Sequence, residues 1–79
     1  MNGFTKNRIG RDIEYILQSN PRVTVIRSCY CSYNCMETWM TKVDDEVIDG
    51  GYNSYFRDAV KDAFVAGEKL AVNPNYYRY

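Results

Sequence analysis

Apolar residues in this chain change their spacing twice. Ile9, Ile13, Ile16 and Leu17 recur at helical intervals, Val23, Val25, Cys29 and Cys31 keep to alternate positions, and Phe56, Val60, Ala63, Phe64, Gly67 and Ala71 return to a helical stripe. The first pattern predicts a helix over residues 6–18, with Arg8, Arg11, Asp12 and Glu14 filling its other positions. Thr5 stands where it can cap the first turn, and Phe4 and Ile9 occupy the ends of a hydrophobic staple. Gly10 weakens such a helix modestly, and Ser19, Asn20 and Pro21 end it, because proline pushes the residue before it out of helical angles.

Residues 22–33 are rich in β-branched and aromatic side chains and predict a strand. Ser32, Tyr33 and Asn34 offer a turn into a second strand over residues 35–43, which carries Trp39 and Met40. Asp44 and Asp45 make another turn, leaving residues 46–49 as a short third strand. Gly50 and Gly51 then release the chain from the sheet, and Asn53 or Ser54 caps a second helix over residues 55–71. Small residues at Ala59, Ala63 and Gly67 would let that helix lie close to the sheet, and Pro74 ends it before a tyrosine-rich tail over residues 72–79.

The expected fold is a single two-layer α+β domain of α-β-β-β-α order, a three-stranded antiparallel sheet with both helices on one face. This order resembles that of double-stranded RNA-binding domains. The resemblance is one of order alone: where that family opens its last helix with a lysine cluster for phosphates, this chain reads Tyr55, Phe56, Arg57, Asp58.

A chain of 79 residues has room for one core, and an apolar share of 46% with 15% aromatics can build it without metals or disulfides. There is no apolar run of membrane-spanning length, and the N-terminus lacks the pattern of a secretory signal, so a cytoplasmic location is expected. Cys29, Cys31 and Cys35 are an odd number crowded into one segment, which suits a reducing compartment better than a disulfide framework.

Histidine is absent, which removes the usual general base near neutral pH, every Ser-His or Cys-His dyad and the commonest metal ligand. The three cysteines fall one short of a structural zinc set, so they are read as small buried hydrophobes, reduced and metal-free. No catalytic residue, cofactor or metal is expected, and the chain reads as a non-enzyme.

The ten basic and ten acidic side chains cancel, but unevenly along the chain. Lys6, Arg8, Arg11, Arg22 and Arg27 dominate the first third, whereas Glu37, Asp44, Asp45, Glu46 and Asp49 outweigh Lys42 in the middle. A bipolar pattern favours a charged protein partner or self-association over a polyanion, which needs several basic groups on one face. Eight tyrosines add amphipathic contact area of the kind enriched at interfaces.

These observations predict a small protein-binding module, an inhibitor or adaptor, whose contact residues are Tyr30, Tyr33, Asp44, Asp45, Glu46, Asp49, Tyr76 and Tyr77. In general character, small and without a catalytic motif, the chain is similar to the accessory proteins that bacteriophages direct at host or defence proteins. The alternative is RNA or DNA binding through Lys6, Arg8, Arg11, Arg22 and Arg27, with Tyr30 and Tyr33 as stacking platforms.

Overall fold

A computed structural model describes residues 2–29 and 37–78. Five strands, β1 (Phe4–Ile9), β2 (Asp12–Leu17), β3 (Val23–Cys29), β4 (Glu37–Val43) and β5 (Glu46–Asn53), precede one helix, α1 (Phe56–Val72). The strands form a single antiparallel sheet whose spatial order follows the chain, β1-β2-β3-β4-β5. Two of its members, β1 and β2, replace the expected first helix, so the fold is five strands followed by one helix rather than α-β-β-β-α.

The reason lies in residues 4–17. Ile13 and Leu17 fit a helical stripe, but Ile13, Tyr15 and Leu17 also alternate, and the alternation prevails. Gly10 has φ +58°, outside helical space, and with Arg11 it forms a two-residue hairpin turn that glycine opens at little cost. Phe4 then pairs with Leu17 and Ile9 with Asp12.

The third expected strand is longer than residues 46–49. Gly50 and Gly51 stay in β5 beside a register shift between Met40 and Lys42, instead of releasing the chain. A Cβ at Gly51 would lie only 2.8 Å from the Thr41 carbonyl oxygen.

Helix α1 begins within a residue of its expected start, but Tyr55 holds the N-cap position without a side-chain cap, in place of Asn53 or Ser54. The Asn53 Nδ2 instead donates to Asp62 Oδ2 at 2.8 Å, tying β5 to the helix. The buried stripe is rotated from the expected one: Ala59, Ala63, Ala66, Gly67 and Leu70 face the sheet, while Phe64 and Ala71 are exposed. Small residues thus bring backbone close to backbone over Leu17, Val23, Val25 and Val43, and the Thr41 hydroxyl donates to the Ala59 carbonyl at 3.1 Å.

Alternation divides the other strand residues between two faces. The face under α1 also receives Tyr15, Trp39 and Ile48, with Phe56 against both aromatic rings at 4.9 and 4.6 Å. The opposite face carries two cross-strand rows, Asn7–Glu14–Ile26–Met40–Tyr52 and Thr5–Ile16–Thr24–Lys42–Val47. No second layer of described residues covers it.

Candidate protein-binding surface

The β4–β5 turn consists of Asp44 and Asp45, with φ +53° and +68°, the pairing of left-handed residues that suits the twist of a two-residue hairpin. Asp44 is engaged within the fold. Arg22, at the entry to β3, grips it in bidentate fashion, Nε to Oδ1 at 2.8 Å and Nη2 to Oδ2 at 2.7 Å. The hydrogen bonds from Arg22 hold the Asp44 carboxyl below its ordinary range, against partial desolvation and with help from the charges of Arg22 and Arg78. Asp45, Glu46 and Asp49 are exposed and have no ion-pair partner among the described residues.

The third donor of Arg22, Nη1, reaches the Pro74 carbonyl at 2.8 Å and draws the C-terminal turn against the same end of the sheet. Tyr77 packs against the core, and Tyr76 stands edge-on to it at 4.9 Å, half exposed, with Lys69 Nζ 5.0 Å above its ring. Asp49, Asp62, Val65, Lys69, Tyr76 and Tyr77 are among the residues that line an open cleft of about 590 Å³ between β5 and α1. A neighbouring hollow runs from Asp44 and Glu46 to Tyr77 and Arg78.

The fold therefore brings Asp44, Glu46, Asp49, Tyr76 and Tyr77 to one edge, although some thirty residues separate the acidic and aromatic groups in the chain. Tyr30 and Tyr33 lie outside the described residues, as do Cys31 and Cys35. The strand ends that flank Tyr30 and Tyr33 are Cys29 and Glu37, which pair at the end of β4 away from Asp44, about 20 Å along the strand. Lys69 is not among the expected contact residues, and Arg22 is expected only under the nucleic-acid alternative. Their part depends on which carboxylate and which ring they meet, and no local pattern announces that.

No protein-family model, curated protein or solved structure matches this chain.

Of the five basic residues of the nucleic-acid alternative, Arg11 and Arg27 line one hollow with Ile13, Tyr15 and Trp39, and Arg8 stands opposite Ile13 on β1, whereas Arg22 lies apart from them. Arg22 is taken up by Asp44 and Pro74, and Arg27 Nη2 lies 3.1 Å from Asp12 Oδ1. Lys6 and Arg8 project from the same side of edge strand β1 and Arg11 from the turn after it, at the opposite end of β2 from the segment leading to Arg22. Among the described residues no group of three or more cysteines and carboxylates is placed to hold a metal ion. No described helix is long and apolar enough to cross a membrane.

Proposed function

We infer that this chain is a small non-catalytic module that docks on another protein, as an inhibitor or adaptor would, through the acidic edge of β5 and the tyrosines folded against it. The observation that supports this best is the placement of Tyr76 and Tyr77 beside Asp49 and Glu46. Rigid aromatic side chains with a polar tip, ringed by solvated charge, are the usual anchors and rim of a protein interface. Asp45, Glu46 and Asp49 point to a partner with a basic surface, since like charge would be repelled on approach. The engagement of Arg22 by Asp44 and of Arg27 by Asp12 weighs against the nucleic-acid alternative, because phosphate binding draws its strength from several cations acting together.

The test is affinity capture from the source cell, with and without nuclease, comparing wild type with Tyr76→Ala, Asp49→Lys and Arg8→Ala. The expected result is a nuclease-resistant protein retained by wild type and Arg8→Ala but lost with Tyr76→Ala and Asp49→Lys. Direct titration with cellular RNA and DNA supplies the opposing outcome: micromolar binding that falls steeply with salt would overturn the protein-partner reading.

A further inference from the structure

In a sheet with one solvated face, alternation normally sets polar residues on that side. Here the face away from α1 departs from that rule: Ile16, Ile26, Met40, Val47 and Tyr52 form a contiguous cross-strand patch around Thr24. Tyr52 is 61% exposed, and the other four are only half-buried although they belong to a sheet interior by composition. None of the five belongs to the core beneath α1 or packs against it.

The charges on this face identify what fits it. Glu14 on β2 and Lys42 on β4 flank the central strand β3, one on each side and one row apart, and neither has an ion-pair partner among the described residues. We propose that the face is covered by the same face of a second copy, related by a two-fold axis parallel to β3. Such an axis lays β2 of each copy over β4 of the other, so that each Glu14 comes diagonally opposite a Lys42 and the pair forms twice. Sheets packed face to face stand about 10 Å apart, with a diagonal offset of about 7 Å along the strands, a gap that lysine and glutamate side chains span together.

The two-fold running across the strands is disfavoured by the same charges, because it sets β4 over β4 and turns the two Lys42 side chains toward each other. The chosen axis makes Ile26 meet Ile26 and Thr24 meet Thr24 along the centre, an isologous contact in which an apolar middle is bordered by compensated charge. The proposal stands apart from the docking edge at β5, which remains open in the dimer.

Sedimentation equilibrium of the full chain across micromolar to millimolar concentration tests it. Wild type should be a dimer, Ile26→Glu a monomer with an unchanged circular dichroism spectrum, since two carboxylates would meet on the axis. Glu14→Lys and Lys42→Glu should each weaken the dimer by at least about tenfold, and the double exchange should restore it. A wild-type monomer at millimolar concentration overturns the proposal, as does a dimer that is indifferent to the single charge reversals or not rescued by the double one. Should Ile26→Glu fail to fold, the charge-reversal set decides alone. Loss of partner capture by Tyr76→Ala in a chain that stays dimeric separates this result from that of the β5 edge.

Discussion

Gly67 of α1 lies so close to Leu17 of β2 that a Cβ at Gly67 would stand 2.6 Å from the Leu17 Cδ2. Leu17 is 1% exposed and hemmed in by the core, so its methyl cannot swing aside freely. Gly67→Ala should therefore lower stability by about 1–3 kcal/mol through overpacking, even though alanine favours a helix interior by about 1 kcal/mol over glycine. In a Leu17→Ala background the obstruction is gone and the same change should stabilise. Urea denaturation of the four proteins checks this, and an equal effect in both backgrounds would remove Leu17 as the cause.

The turn at Asp44 and Asp45 places two non-glycine residues in the left-handed region. Asp44 has its partner in Arg22, but no side-chain hydrogen bond or ion pair among the described residues compensates Asp45 for a conformation that costs a residue with a Cβ about 1–2 kcal/mol. Asp45→Gly should raise stability by about 0.5–1 kcal/mol, the gain being reduced by the greater freedom of glycine in the unfolded chain. A lower thermal midpoint in the variant would contradict the turn geometry.

Arg22 and Asp44 also set part of the response to acid. The folded-state carboxyl titrates below its ordinary value, so its contribution is complete above the unfolded value near 4 and is lost as pH falls through the folded one. The stability difference between wild type and Asp44→Asn should be largest at pH 6 and shrink at pH 3. A difference that stays constant across that interval would show that the pairing contributes nothing pH-dependent.

Phe64 belongs to the helical stripe by spacing, yet it is 43% exposed, with its ring edge-on to Phe4 at 5.3 Å. Phe64→Ala should accordingly cost about 1 kcal/mol, from the loss of that ring contact and part of its burial. Leu70→Ala, in the buried row, should cost about 2–5 kcal/mol. Reversal of that ranking in denaturant titrations would mean that α1 is rotated.

Helix α1 was legible to within a residue at each end because its apolar period persists over 17 residues, whereas the rotation of its buried face was not. Alanine and glycine bury little area of their own, so the large Phe64 side chain outweighed Ala66 in the spacing although the sheet approaches Ala66. The β1–β2 hairpin was hidden for a different reason. Thr5, Lys6, Asn7, Arg8 and Ile9 are all exposed on an edge strand, so that half of the hairpin has no alternation to read. The other half, Ile13, Tyr15 and Leu17, overlaps a helical stripe, and only Gly10 before Arg11 marked the turn. At the candidate surface, Asp44 to Asp49 and Tyr76 with Tyr77 were visible as residue types, but their meeting depends on the Arg22 bonds to Asp44 and Pro74.

Sheet order that follows chain order has a consequence for how fast the molecule can form. Each strand's hydrogen-bonded neighbours are also its neighbours in sequence, joined at β1–β2 and β4–β5 by two-residue turns. Chain-closure entropy is therefore small at those steps, and the separations that remain long are those between α1 and β2, β3 or β4. Refolding should be quicker than for an all-β sandwich of similar size, in which strands cross between sheets, and its barrier should be sensitive to truncations in the β3–β4 pair more than to any change in the C-terminal turn.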